Sequence, residues 1–185
     1  MYGTWPPFED HGFRAYVDTF AASARSKATA LSDEELSKTS EQDLASAIVQ
    51  GIAPQPIVLR EKDVATDATS ATIVTFTIPF DGTADTLKYR ALEWNGNGTV
   101  PSATVEGSSI KFRYPTVGQD VDSLKAELRK DVEQTRGYIA SLNGFIASKM
   151  DALQQTLPPE IAQRKAALAD RKKLADDLKD PLGNS

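Results

Sequence analysis

The sequence predicts an α+β fold with N-terminal helices, a small, mostly antiparallel β-sheet and a long C-terminal antiparallel helical hairpin of coiled-coil type. Three patterns predict it: apolar residues recur every three or four positions up to about residue 50, alternate between about 57 and 115, and return to a helical period after Gly118. We therefore predict an α+β domain over 1–118, with helices at about 13–50 and strands at about 57–115, and a helical hairpin over 119–185. The 185 residues, 40% of them hydrophobic, suffice to bury a core.

The N-terminal helices are predicted from apolar stripes and from residues that cap helix ends. The first helix carries its stripe from Phe13 to about Leu31. Ser32, followed by three acidic residues, predicts the start of a short second helix, since acidic side chains favour the positive end of the helix dipole. Thr39 or Ser40 is predicted to cap a third helix that stops at Gly51.

The strands are predicted where the apolar period changes to two. Pro54 and Pro56 enforce extended backbone before them. The predicted strands cover residues 57–60, 73–80, 87–94, 104–105 and 110–114, with turns at Asp81-Gly82 and at residues 95–98. Because no helix is predicted between these three to five strands, the sheet should be mostly antiparallel.

The C-terminal region is predicted to be helical from about residue 121. Apolar residues fall seven apart in a heptad pattern that is interrupted at Thr135 and Lys149. Pro158 and Pro159 predict a break, after which a second helix could fold back on the first. A long hairpin leaves apolar residues for a partner, so we predict an interaction surface for a protein effector or a second copy; burial within the chain is the alternative. The predicted interaction residues are Val132, Ile139, Leu142, Phe145, Ile146, Met150 and Leu153.

The composition excludes several kinds of chemistry. With no Cys there is no disulfide or thiolate site, and a triad or a two-histidine metal site would depend on the single His11. We predict no metal and no cofactor. A net charge of -5 makes a nucleic-acid partner unlikely, and without an apolar run of membrane length or a signal peptide we predict a cytoplasmic protein with no membrane partner.

Three motifs suggest other chemistry. Asp81 with Asp85, or Glu61 with Asp63, could pair in a carboxylate or metal-dependent enzyme. The segment 80–83, Phe-Asp-Gly-Thr, resembles the nucleophile loop of haloacid dehalogenases, but Pro79 stands where their second aspartate belongs. The aromatic residues Tyr89, Trp94, Phe112 and Tyr114 alternate with Lys88, Arg90, Lys111 and Arg113, so one sheet face should be aromatic and the other basic. Such aromatic residues stack nucleobases in some sheets, but a core facing the helices is the simpler interpretation.

Several segments together resemble poorly characterised bacterial modules that precede effector domains, such as nucleases or Toll/interleukin-receptor-type domains. The segments are residues 31–36, 56–61, 78–82, 171–178 and 181–183. The resemblance implies a sensing or assembly role in bacterial antiviral defence, with no catalytic residues and with an effector that is either a separate polypeptide or part of a longer chain.

The predicted function is therefore that of a non-enzymatic protein-interaction and oligomerisation module. We predict that this chain forms a homo-oligomer and acts as a sensor or adaptor for a separate effector. Two alternatives stay open: a structural adaptor of a phage or secretion assembly, and the carboxylate or metal-dependent enzyme.

Overall fold

A computed structural model describes residues 10–88 and 103–179, with side chains over 15–87 and 103–179. It contains helices α1 (Asp10–Ala30), α2 (Asp33–Lys38), α3 (Glu41–Gln50) and α4 (Val121–Asp177). Its strands are β1 (Val58–Leu59), β2 (Ala65–Asp67), β3 (Ile73–Asp81), β4 (Ala103–Glu106) and β5 (Ser109–Pro115). The α+β class, with N-terminal helices, a small antiparallel sheet and a long helical C-terminal region, is confirmed.

The described chain divides into two compact units. The sheet unit comprises the start of α1 up to Tyr16 together with Pro54–Ala147, and the helical unit comprises Val17–Ala53 and the chain from Ser148 onwards. The boundary that we predicted at residue 118 differs from this division, because α4 contributes its first half to the sheet unit and its second half to the helical unit.

In the helical unit, α2 and α3 begin at the predicted caps. Ser32 accepts a hydrogen bond from the Glu35 N–H (3.2 Å), and the Glu35 carboxylate accepts one from the Ser32 N–H (2.8 Å). These reciprocal bonds form a capping box. The pKa of Glu35 is lowered because the Ser32 hydroxyl, and then the Ser32 N–H, donate hydrogen bonds to its carboxylate. Ser40 caps α3 by accepting from the Asp43 N–H (3.1 Å).

Basic side chains close the opposite ends of these three helices. Arg164 of α4 donates to the carbonyls of Ala28 and Leu31 where α1 ends, and Lys165 donates to the Thr39 carbonyl (2.6 Å) after α2. Lys27 reaches the Gly51 carbonyl (3.4 Å) after α3. The last carbonyls of a helix lack intrahelical donors and carry partial negative charge, so each cation satisfies an acceptor and opposes the dipole.

The sheet is fully antiparallel, in the order β1-β3-β5-β4, and β2 also pairs with β3 on the side that β1 occupies. In its centre Ile78 lies opposite Ile110, and Phe76 lies opposite Phe112. Side chains of a strand alternate between its faces. The buried face is formed by Val74, Ile78 and Phe80 of β3 and by Ile110, Phe112 and Tyr114 of β5.

The buried face is directed toward α4. The Tyr114 hydroxyl donates a hydrogen bond to the Asp131 carboxylate of α4 (2.7 Å), and the Tyr114 ring meets Phe76 edge to face with centroids 6.0 Å apart. Lys111 and Arg113 lie on the opposite face, where both pair with Glu106. The predicted separation of aromatic from basic residues is therefore confirmed at β5, whereas the predicted residues 89–98 lie outside the described residues.

The turn after β3 depends on Gly82. Its φ of +112° is a conformation that L side chains rarely adopt, and a Cβ there would come within 2.3 Å of the Pro56 carbonyl oxygen. Leu87, predicted to start a strand, instead lies in a short 3₁₀ turn, Ala84–Lys88, and is buried.

The C-terminal region is one continuous helix, in which Pro158 and Pro159 join the two predicted halves instead of separating them by a turn. Proline removes a backbone donor, but its φ suits a helix. Packing on both sides of the prolines holds the helix together: Leu157 and Ile161 are buried, and Gln154 donates to Ser46 of α3 (2.5 Å).

Candidate functional site: a cleft beside an open strand edge

The sheet unit contains a cleft of about 280 Å³ between α4, Ile78 of β3 and the segment that leads into β2, here called the β2–α4 cleft. It is lined by Glu61, Val64, Ile78, Leu128, Arg129, Val132, Glu133 and Arg136. Four of these side chains are apolar and form its floor, and four are charged and form its rim.

The floor is built by strand register and by the heptad pattern of α4. Ala65 pairs with Thr77 and Thr66 with Phe76, so Val64 and Thr66 project to the same face as Ile78. Ile78 and Val132 are buried, Leu128 is half-buried, and Val64 remains 42% exposed at the mouth. The apolar surface of the cleft is thus partly open to solvent.

Arg136 organises the charged rim. Its Nη2 donates to both carboxylate oxygens of Glu61 (2.9 Å each), and its Nε donates to one of them (3.1 Å). Arg136 also pairs with Glu133. Its pKa is raised, first because of the hydrogen bond to Glu61 and then because of the negative charge of both glutamates. Both carboxylates of the lining are therefore already engaged by one guanidinium.

Arg129 is the remaining charge of the lining. It is exposed, and within the described part of the chain it forms no ion pair or side-chain hydrogen bond. The two arginines and two glutamates of the lining balance in charge, and Arg129 is the guanidinium of the lining that is not bound to a carboxylate of the described residues.

β2 adds an open edge to the cleft. Among the described residues it pairs with β3 alone, and all three of its residues are exposed. The outer edge of a strand that is paired on one side only presents free N–H and C=O groups that can pair with another extended chain. This edge begins directly after Val64, which lines the cleft.

The predicted interaction residues lie mostly in the core. Val132, Ile139, Leu142, Ile146 and Met150 are buried, and Phe145 and Leu153 are half-buried. Only Val132 reaches the β2–α4 cleft. The chain itself therefore buries these seven side chains wholly or in part, as in the alternative that the sequence left open, and their part in association stays a prediction.

Glu61 and Asp63, one of the two predicted carboxylate pairs, are each bound by an arginine. Glu61 binds Arg136 and Asp63 pairs with Arg60, while Asp81 and Asp85 are exposed. No group of three or more acidic or histidine side chains that could hold a metal ion occurs among the described residues. The His11 side chain lies outside the part whose side chains are described.

Two other clefts, of about 300 and 250 Å³, lie in the helical unit. Their charged side chains already stabilise helix ends or ion pairs: Lys27 and Glu35 in one, and Arg164 with the Asp33–Arg171 pair in the other. The β2–α4 cleft differs because it borders the edge of β2 that has no strand partner among the described residues.

Comparisons with protein-family models, with curated proteins and with solved structures give no match. Over the described residues, no helix combines the length and the apolar character needed to cross a membrane.

β2, whose open edge borders this cleft, could not be predicted from the sequence. Ala65–Asp67 contains residues of low strand propensity, and three residues are too few to show alternation. The available signals were Val64 next to a charged segment and Leu128 at the start of the heptad pattern.

Proposed function

We propose that this chain is a non-enzymatic protein-interaction module whose partner binds at the β2–α4 cleft. The observation that carries the proposal is the placement of a partly exposed apolar floor, Val64 and Leu128, beside an unpaired strand edge. The resemblance of the sequence to modules that precede bacterial effector domains supports an adaptor role, with a separate effector as the partner.

Partner capture from the native host tests the proposal. Val64→Asp places a charge at the cleft mouth, and Val117→Asp makes the same change at a site that is 75% exposed in the sheet unit and outside the cleft lining. We expect the wild type and Val117→Asp to retain the same protein, and Val64→Asp to lose it while keeping its circular dichroism spectrum. Capture that survives Val64→Asp, or no specific capture by any variant, contradicts the proposal.

We also propose that the chain self-associates. Leu174, in the last turn of α4, and Leu178, directly after the helix, support this because their side chains are 60% and 59% exposed. Light scattering over a concentration series should show a dimer or larger species that Leu174→Ser with Leu178→Ser converts to monomer. A monomeric mass at every concentration contradicts it.

A further inference from the structure

We propose that the occupant of the β2–α4 cleft is an extended, acidic peptide segment of the partner, which adds a strand to β2. This inference rests on the proposed function. It names the conformation of the bound segment and the side chains that it presents.

The extended conformation follows from the open edge. Free backbone donors and acceptors spaced along a strand are matched by another extended chain, whereas a bound helix has already paired its own backbone groups. β2 has only three residues, so it can contribute few main-chain bonds. Specificity must therefore come from side chains.

The apolar preference follows from the floor. In a strand added beside β2, every second side chain would project to the face that carries Val64 and Thr66. There it would meet Leu128 and Val132 in a space of about 280 Å³. That space accommodates a large aliphatic or aromatic side chain.

The acidic preference follows from the rim. Glu61 and Glu133 are both held by Arg136, so a basic peptide residue would compete with an existing partner. Arg129 has no such partner among the described residues, and a carboxylate of the peptide would complement it. We expect an Asp or Glu near the apolar anchor residue.

The test selects binders from a phage-displayed library of random linear dodecapeptides on the immobilised full chain. Enriched sequences should contain apolar residues in alternation and at least one Asp or Glu. Arg129→Glu should weaken the binding of a synthetic consensus peptide roughly tenfold, in line with the loss and reversal of one charge contact. Lys125→Glu is the matched control, because Lys125 is exposed one turn earlier on α4, outside the cleft lining, and should leave binding unchanged.

Hydrogen exchange provides the second measurement. The bound peptide should slow amide exchange within Ala65–Asp67, since an added strand gives those groups partners. Peptides with helical spacing, equal binding by Arg129→Glu, unchanged exchange at β2 or no enriched peptide would each overturn this inference. If host capture still depends on Val64, the proposed function survives that result; if capture is independent of Val64, the proposed function fails separately.

Discussion

At the scale of single residues, Asn143 of α4 binds both backbone groups of Ile57, the residue directly before β1. Its side-chain oxygen accepts from the Ile57 N–H (3.1 Å), and its amide nitrogen donates to the Ile57 carbonyl (2.9 Å). Ile57 is 2% exposed, so water has little access to these backbone groups. One α4 side chain therefore satisfies both backbone groups at the entry to the sheet.

Asn143→Ala should lower the free energy of unfolding by about 1–3 kcal/mol, because it leaves a donor and an acceptor without partners away from water. Urea denaturation measures the change. Gln155→Ala is the control, since Gln155 is an exposed amide on the same helix and should change stability by less than about 0.5 kcal/mol. Equal losses in the two variants would show that the Ile57 bonds contribute nothing measurable.

The Tyr114–Asp131 pair predicts a pH dependence. Burial, followed by the hydrogen bond and the negative charge of Asp131, raises the pKa of Tyr114 far above its usual value of 10.0. The folded state thus holds the tyrosine proton at a pH where the unfolded chain releases it, so this contribution is complete below about pH 10 and decreases at higher pH. In denaturation series from pH 8 to pH 11, the stability advantage of the wild type over Tyr114→Phe should shrink above pH 10. A constant difference would contradict this assignment.

At this scale the buried apolar positions could be predicted from the sequence, whereas the long-range polar contacts could not. The α4 residues Ile139, Leu142 and Ile146 are buried as their spacing indicates. Asn143 and Ile57 are 86 positions apart, and Arg136 and Glu61 are 75 apart. Nothing local marks such pairs, because each depends on how distant elements pack.

At the scale of elements, α4 continues through Pro158 and Pro159 although prolines destabilise a helix interior. Each proline removes one helical hydrogen bond, and Pro is about 3 kcal/mol less favourable than Ala inside a helix. Local propensity predicted a break at Pro158. Tertiary contacts of Leu157 and Ile161 outweigh it.

Pro159→Ala should therefore stabilise the chain, by roughly 1–3 kcal/mol, since Pro159 is exposed and its replacement restores a donor without disturbing the core. A rise in melting temperature checks this. Ala162→Gly, on the same exposed part of α4, should destabilise by about 1 kcal/mol and serves as a control for helical propensity. A lower melting temperature for Pro159→Ala would mean that α4 needs the proline at this position.

At the scale of the whole chain, the predicted interaction residues function first as core. A charge at a fully buried position such as Leu142 removes apolar burial and places a carboxylate away from water. We expect Leu142→Glu to cost more than about 4 kcal/mol. Helical circular dichroism should fall even in dilute solution, whereas exposed Ala147→Glu should leave it intact. A folded Leu142→Glu variant of reduced mass would instead support the original prediction of an interface at that position.

The α+β class and most elements could be predicted because the change in spacing of apolar residues between helices and strands can be read from the sequence alone. The division into two units could not, since it depends on which half of α4 packs with the sheet and which with the helices. The cleft depends on Val64, directly before β2, lying beside Leu128 and Val132 of α4, and no local pattern predicts that placement.

The close approach of Gly82 to Pro56 has a consequence for tolerated variation. In saturation mutagenesis with a folding reporter, position 82 should reject every other residue, because a Cβ would meet backbone atoms that cannot rotate away. Gly107, with φ of +58° and nothing within 4 Å of an added Cβ, should accept Asn and Asp. Gly82 and Gly107 look equivalent in the sequence, but only position 107 should tolerate substitution.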